Sequence, residues 1–326
     1  MPGRTQCPFM EIKMNPRQFV RYASIAALLM ASNAQAQLFR AYLSGSGNDG
    51  NACTLQAPCR LLPAALSAVA DGGEVWMLDS ANYNTSTVSV GKSVSILAIP
   101  GAVGSVVALN GGPAVSITVP GLTVALRNVV IGPVASMAPG TNGVEISADS
   151  SLVIEGSLIV NLEGSGVVAN GAADVRLVNT TVRNNGEWAL RATDGVAGTV
   201  SKSQLVGNTL GGVRAEGLTG AAITNVSVTD SLISGGDTGV QATTQASGAT
   251  ARVVVTRSTI DRTGTAMVSD SNGSGAPSIV VSGSMVTENA TGWNISGSGA
   301  AIRTLQNNQI TDNGAGSGTL TTNALM

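Results

Sequence analysis

One pattern of apolar and polar positions recurs along the chain from about residue 123 onward, and its clearest copy is the stretch VSVTDSLI at residues 226–233. Val226 and Val228 alternate with polar neighbours, so their side chains share one face of a strand. The phase then changes, and Ser231 and Ile233 share a face of a second short stretch. The pattern therefore predicts two short strands joined by a bend.

The copies of this pattern can be aligned on their last aliphatic residue, which we term the anchor. Successive anchors are separated by 29, 23, 23, 28, 27, 26 and 24 residues. The anchors are Val130, Ile159, Val182, Leu205, Ile233, Ile260, Val286 and Ile310. Self-similarity at this period is typical of a solenoid built from stacked supersecondary units.

Each repeat also contains a turn and a third apolar segment, such as Gly212-Val213 or Gly239-Val240. The third position beyond the anchor is Asn185, Asn208, Asn289 or Asn313 in four copies, and Gly236 or Thr263 in two others. Because Asn and Gly tolerate a left-handed backbone, this column predicts a tight turn and a structural ladder of asparagines. Three short strands per period predict an all-β fold, a parallel β-helix of roughly ten or eleven coils.

A column of polar residues stands two positions before the anchors. Its members are Asn128, Ser157, Thr180, Ser203, Ser231, Ser258, Ser284 and Asn308. Stacked coils place equivalent residues about 4.8 Å apart, and buried hydroxyl groups need hydrogen-bond partners. The column therefore predicts an internal ladder of hydroxyl groups rather than a polar channel.

A helix is predicted over residues 61–70, before the first coil. Pro63 falls in its first turn, where proline is tolerated, and Leu62, Leu66 and Val69 line one face. We expect this helix to cap the N-terminal end of the solenoid, where a sheet edge and apolar columns would otherwise be exposed.

Cys53 and Cys59 precede this helix in a turn-rich loop. Their spacing is wrong for a Cys-x-x-Cys redox motif, and the chain has no histidine to complete a zinc site. This favours a disulfide between them.

The first 36 residues have the features of a leader with a signal peptide. If translation starts at Met14, Arg17 and Arg21 form a positive region, residues 24–30 form an apolar stretch, and cleavage falls after Ala36. The expected organisation is a leader at 1–36, a cap with a disulfide loop and helix at 37–74, and a β-helix at 75–326. The expected location is the periplasm or the exterior.

The repeats resemble the right-handed parallel β-helix superfamily that includes pectate lyases. The loop from Gly45 to Cys59, followed by Ala64-Ala65-Leu66 and Gly72-Gly73-Glu-Val75, more closely resembles small exported bacterial β-helix repeat proteins. This resemblance implies a right-handed solenoid and an export route, and it implies no particular activity.

Composition narrows the range of functions. Aromatic residues make up 3% of the 326 residues and charged residues 11%, with a formal net charge of −2 and no histidine. A chain with so few charged residues lacks the basic surface of a nucleic-acid-binding protein. The absence of histidine removes the commonest general base and transition-metal ligand. We expect a monomer that has no cofactor and does not span a membrane.

The charged residues suggest only a weak surface site. Lys202, Asp230 and Arg257 occupy consecutive positions three before the anchor and alternate in sign, as cross-strand ion pairs do. No column of acids is arranged as a calcium-dependent lyase or a hydrolase would need. Three insertions, at 216–225, 243–252 and 270–278, are long enough to border a shallow groove but too short to build a deep cleft.

The sequence therefore predicts an exported non-catalytic β-solenoid that binds a glycan or a cell-envelope polymer through an outward face. Two alternatives remain open. One is a polysaccharide lyase or hydrolase of the same superfamily, and the other is an adhesin-like structural module.

Overall fold

The computed structural model describes residues 37–134, 138–147 and 149–323. The signal peptide expected within residues 1–36 lies outside them. Parallel strands form three sheets, which we call A, B and C, and neighbouring strands in each sheet belong to successive coils.

Sheet A contains β1 (Leu38–Leu43), β2 (Val69–Met77), β5 (Val94–Ala98), β8 (Thr123–Arg127), β11 (Ser151–Glu155), β14 (Asp174–Val178), β17 (Ala197–Ser201), β20 (Ile223–Thr229), β23 (Thr250–Thr256), β26 (Ala276–Ser282), β29 (Ala301–Leu305) and β31 (Thr321–Asn323). Sheet B contains β3 (Ala81–Asn82), β6 (Gly104–Val107), β9 (Val129–Gly132), β12 (Leu158–Val160), β15 (Thr181–Arg183), β18 (Gln204–Val206), β21 (Leu232–Ser234), β24 (Thr259–Asp261), β27 (Met285–Thr287) and β30 (Gln309–Thr311). Sheet C contains β4 (Val88–Ser89), β7 (Val115–Ile117), β10 (Val144–Ile146), β13 (Val167–Asn170), β16 (Trp188–Thr193), β19 (Gly211–Gly217), β22 (Thr238–Thr244), β25 (Thr265–Ser271) and β28 (Thr291–Ser296).

Each coil runs through one strand of A, one of B and one of C. The described residues form nine complete coils, from β2–β3–β4 to β26–β27–β28. The predicted all-β parallel solenoid is confirmed. The expected ten or eleven coils is too many, because β1 lies before the first complete coil and β29, β30 and β31 follow the last one.

Aliphatic columns fill the interior. Leu177, Val200, Val228 and Val255 are paired in register in sheet A, and each is fully buried. The residues next to them in the sequence face outward, as the alternation of apolar and polar positions predicts. Burying an aliphatic side chain of this size stabilises the fold by about 1.5–3 kcal/mol, so each column contributes throughout the length of the solenoid.

Two bends per coil use a left-handed backbone. At the bend between sheets A and B, φ lies between 47° and 58° at Asn128, Gly156, Asn179, Lys202, Asp230, Arg257 and Gly283. At the bend between sheets B and C, φ lies between 52° and 73° at Asn161, Asn184, Gly207, Gly235, Arg262, Glu288 and Asp312. The predicted position of the left-handed residue at this turn is therefore wrong by one. The left-handed residue is the one before Asn185, Asn208, Asn289 and Asn313.

The register of the first clear repeat differs by one residue from the prediction. Ile159 pairs with Ile131 rather than with Val130, and Ile131 is fully buried. Asn128 therefore lies at the left-handed bend and not in the hydroxyl column. Three consecutive aliphatic residues at 129–131 leave the alternation ambiguous at this place.

The helix α1 (Leu62–Ala68) is shorter than the predicted 61–70. It ends early because Val69 has an extended backbone and begins β2, so sheet A includes residues that the sequence analysis assigns to the N-terminal cap. Leu62, Ala65 and Leu66 are buried in the same apolar cluster as the first coils.

The disulfide loop lies along the outer edge of β1. Cys53 and Cys59 are joined, with their Cα atoms 4.7 Å apart. The backbone N–H of Tyr42 donates to the carbonyl of Cys53 (2.8 Å), and the N–H of Cys59 donates to the carbonyl of Tyr42 (2.9 Å). The loop therefore supplies partners to a strand edge that would otherwise be open.

About half of the residues in the three insertions lengthen strands, and the others connect sheet C to sheet A. β19 and β20 together include five of the ten residues 216–225, and both are seven residues long, as are β22, β23, β25 and β26. The extra residues therefore widen the faces of sheets A and C.

Candidate functional site

The hydroxyl column is internal and bonds to the backbone. Ser157, Thr180, Ser203, Ser231, Ser258 and Ser284 are all buried. For example, Ser231 Oγ accepts the N–H of Ser203 from the preceding coil (3.1 Å) and donates to the carbonyl of Thr229 (2.8 Å). Each hydroxyl group thus joins one coil to the next through the main chain, and a ligand cannot reach it.

The asparagine column lies just inside the second bend. Asn185, Asn208 and Asn289 are buried. Asn289 donates its side-chain amide to the carbonyl groups of Ile260 (3.0 Å) and Thr287 (2.9 Å) and to Asn313 Oδ1 (2.8 Å). These amides satisfy buried backbone groups at the turn, which is a structural use of the side chains.

Lys202, Asp230 and Arg257 share the left-handed bend between sheets A and B. Arg257 donates Nε and Nη2 to the two carboxylate oxygens of Asp230 (2.8 and 2.9 Å). These hydrogen bonds hold the pKa of Asp230 below its ordinary value, and the charges of Arg257 and Lys202 act in the same direction. Both members of the ion pair are exposed, with 60% of the Arg257 side chain and 40% of the Asp230 side chain accessible, so neither is activated by burial.

A second charged cluster lies on the outer face of sheet C. We call Arg191, Arg214 and Glu216 the arginine site. Glu216 Oε2 accepts Nε of Arg191 (2.6 Å), and Oε1 accepts Nη2 of Arg214 (2.7 Å). Thr193 donates its hydroxyl group to the same Oε2 (3.1 Å). One carboxylate therefore holds two guanidinium groups in place.

The register of sheet C brings these residues together. Arg191 pairs with Arg214, and Thr193 pairs with Glu216, on adjacent strands β16 and β19. Alternation along β19 places Val213 and Ala215 inward and Arg214 and Glu216 outward.

The ring of Trp188 lies 5.6 Å from the guanidinium carbon of Arg214 and is itself buried. The indole ring of Trp188 lies close to Gly211, where φ is 145°. A Cβ atom at Gly211 would collide with this ring and with the carbonyl of Thr238. Glycine at this position lets the indole lie under Arg214, which gives that arginine a cation–π contact in addition to its ion pair.

The accessible charge at the arginine site is positive. The Glu216 side chain is only 2% exposed, whereas Arg191 and Arg214 are 39% and 26% exposed. The nearest acids in the same rows, Glu145 and Asp270, are each two coils away, which is about 10 Å and close to a Debye length in physiological salt. A ligand on this face therefore meets two fixed cations.

Positions counted from the anchors do not reveal the arginine site. The variable lengths after each anchor hide the alignment of Arg191 with Arg214. A usable signal was present, because these two residues follow Leu190 and Val213 in the third segment and are separated by 23 residues, a step found between anchors.

The described part of the chain contains neither a group of metal ligands nor a membrane-spanning helix. Within residues 37–134, 138–147 and 149–323, no three Asp, Glu or Cys side chains are grouped so that they could hold a metal ion together. In the same residues, no helix has both the length and the apolar character of a membrane span.

Comparison with known proteins identifies the family. Residues 142–315, more than half of the chain, match the family model described as a right handed beta helix region. A search of curated protein sequences found no match.

Among solved structures, an alginate lyase from a Paenibacillus species is similar with a TM-score of 0.59 and 12% identity, covering 87% of this chain and 100% of the lyase. Pectate lyase Pel9A has a TM-score of 0.56 and 14% identity, covering 89% and 79%. A polygalacturonase from Erwinia carotovora has a TM-score of 0.55 and 13% identity, covering 90% and 100%.

At such identities the likeness to solved structures concerns the fold alone. The family match and the three-sheet coils agree with the resemblance drawn from the repeats. This chain therefore belongs to the right-handed parallel β-helix family.

Proposed function

We propose that this protein is an exported glycan-binding β-solenoid that binds without cleaving, and that its ligand is a polymer bearing carboxylate groups. The observation that carries the proposal is the pair of part-exposed guanidinium groups that buried Glu216 holds on the outer face of sheet C. A planar guanidinium group matches a carboxylate in geometry and charge. The structural neighbours named for alginate and pectate support a glycan as the class of ligand.

The face around the arginine site suits an extended polymer. Gln241, Val268 and Asn294 follow Arg214 in the same outward row, one per coil. The row from Arg191 to Asn294 spans four steps, about 19 Å. Many weak contacts along such a row would add through avidity, so a long polymer should bind better than a short oligomer.

The proposal makes the arginines binding residues and not acid–base catalysts. Arginine stays protonated in proteins, and Glu216 is occupied by two guanidinium groups and a hydroxyl group. Export is part of the proposal because it would place the chain among extracellular polymers. N-terminal sequencing of secreted or periplasmic material should begin at Gln37.

Affinity electrophoresis in gels containing polygalacturonate or alginate tests the proposal. The parent protein should be retarded, and the double variant Arg191→Gln/Arg214→Gln should lose at least tenfold in affinity. Arg257→Gln is the matched control, since it removes an exposed, ion-paired arginine from a bend outside sheet C.

Cleavage is measured in parallel, as unsaturated or reducing ends released from the same polymers with and without calcium. The proposal expects none. If the parent releases such ends, and Asp230→Asn or the double arginine variant does not, the protein is a lyase or hydrolase and the proposal of binding without cleavage is wrong. If the parent protein is not retarded in any gel that contains an acidic polysaccharide, the binding proposal is wrong.

A further inference from the structure

Aromatic side chains are scarce in this chain, yet two of them meet on the outer face of sheet A near its N-terminal end. Tyr42 on β1 pairs in register with Trp76 on β2, and the ring centroids are 6.3 Å apart at an edge-on angle of 70°. Leu97 and Arg127 follow in the same outward row on β5 and β8. We call these four residues the aromatic strip.

The indole of Trp76 is held by two charged neighbours. The guanidinium carbon of Arg40 lies 4.0 Å from its ring centroid. Glu74 Oε2 accepts Nε1–H of Trp76 (3.0 Å) together with Nε (2.8 Å) and Nη2 (2.7 Å) of Arg40. The guanidinium group of Arg40 covers one face of the indole, and the side chains of Arg40 and Glu74 remain 35% and 28% exposed beside it.

A shallow depression of about 230 Å³ continues from the aromatic strip. It is bordered by Gly72, Ser95, Thr123 and Arg127, among others. Ser95 pairs in register with Glu74, and it accepts a hydrogen bond from Nη1 of Arg127. A Cβ atom at Gly72 would meet nothing within 4 Å, so the space at this border is open.

We propose that the aromatic strip and the adjoining depression form a second carbohydrate-binding surface, which takes the uncharged pyranose rings of a neutral glycan. A pyranose ring has an apolar C–H face that can pack on the aromatic surface left accessible by Tyr42 and Trp76, which are both half-buried. Its equatorial hydroxyl groups can bond to the carboxylate or guanidinium group beside these rings. Such a mixture of aromatic surface with a few placed polar groups is typical of small-molecule sites. From Tyr42 to Arg127 the strip spans three strand spacings, about 14 Å.

This surface differs from the arginine site in place and in chemistry. It lies on sheet A in the first coils, and its cations are paired with acids that are more accessible than Glu216: Arg40 with Glu74 (28% exposed), and Arg127 with Glu155 (50% exposed) at 3.2 Å. The accessible surface is therefore close to neutral, so it favours a ligand that packs on the aromatic rings over one that carries charge. Two sites on separate sheets would let one molecule join an acidic polymer to a neutral one. That bridging role rests on the proposed function, but the second site does not.

Binding of cellohexaose and mannohexaose, measured by titration calorimetry, tests the second site. The parent should bind at least one of the two neutral probes, and Trp76→Ala should weaken that binding at least tenfold. Val178→Ala is the matched control, because Val178 lies in the same outward row of sheet A several coils away. Trp76→Phe keeps the stacking ring without its N–H and should retain more affinity than Trp76→Ala.

Five results separate the possibilities. Arg191→Gln/Arg214→Gln should leave neutral-probe binding within twofold of the parent, and Trp76→Ala should leave polygalacturonate binding within twofold. If Trp76→Ala unfolds as cooperatively as the parent and still binds the neutral probes with the parent's affinity, the second site is wrong. If the parent binds only acidic probes, the second site is wrong and the proposed function stands. If it binds only neutral probes through Trp76, the second site stands and the arginine site fails.

Discussion

Asn208 Oδ1 accepts two hydrogen bonds from Asn185 in the preceding coil, one from its backbone N–H (3.2 Å) and one from its side-chain Nδ2 (2.8 Å). Asn208 in turn donates its own amide to the carbonyl of Val182 (3.0 Å). Both asparagines are buried. A single side chain thus satisfies three buried polar groups of the neighbouring coil.

Replacing this side chain should be costly. Asn208→Ala leaves the two Asn185 donors and the Val182 carbonyl without this partner, and the free energy of unfolding should fall by about 1–3 kcal/mol. Asn170→Ala, at an exposed position at the end of β13, is the control and should change it by less than about 0.5 kcal/mol. Equal midpoints in urea denaturation for the two variants would contradict a ladder that stabilises the turn.

The register of sheet A predicts opposite outcomes at two neighbouring valines. Val255 is fully buried in an inner column, whereas Val254 faces outward and is half-buried. Val255→Asp should lower the free energy of unfolding by about 3 kcal/mol or more, because an unpaired carboxylate enters an aliphatic column. Val254→Asp should cost about 1 kcal/mol or less. Thermal melts of the two variants measure this, and comparable midpoints would place the register wrong by one residue.

The disulfide should stabilise the fold only modestly. Cys53 and Cys59 are six residues apart, and closing so short a loop is worth about 2 kcal/mol on the loop-entropy model. The double variant Cys53→Ser/Cys59→Ser should therefore fold but denature at lower urea concentration, with hydrogen exchange accelerated most at Tyr42. Mass spectrometry of non-reduced exported protein should find no free thiol at these positions, and two free thiols there would refute the bond.

The Asp230–Arg257 pair predicts a pH dependence of defined sign. Because Arg257 lowers the pKa of Asp230, the pair contributes to stability above the ordinary carboxyl pKa and loses its contribution as pH falls through the lowered value. An NMR titration of the Asp230 carboxyl group should give a pKa below the ordinary value.

Arg257→Gln should raise the pKa of Asp230 toward the ordinary value, and high salt should have a smaller effect in the same direction. A pKa of Asp230 that does not change in Arg257→Gln would show that the two side chains are not paired in solution.

The inner columns could be predicted from the sequence because alternation there is unambiguous, as at Val226, Val228 and Ile233. Prediction failed where local pattern carries too little information. Residues 129–131 are all aliphatic, so the sequence pattern places the anchor at Val130, whereas the register of sheet B places it at Ile131.

The outer faces were harder to predict, for two reasons. Pairing of Arg191 with Arg214 depends on the register of the third strand, which spacing from the anchors does not determine. Trp76 stands between Val75 and Met77 and so looks buried in the sequence. Both of those neighbours face inward, and strand alternation turns the indole to the outer face beside Arg40.

The equivalence of bend residues in successive coils has an evolutionary consequence. Asn161 and Asn184 occupy the same left-handed position, at φ 59° and 55°, and are separated by one 23-residue period. Removing residues 161–183 would join Val160 to Asn184 and leave every remaining strand with a neighbour of the same kind. A gene of this type can therefore gain or lose whole coils by unequal recombination, changing the length of its outward faces while the fold itself is inherited intact.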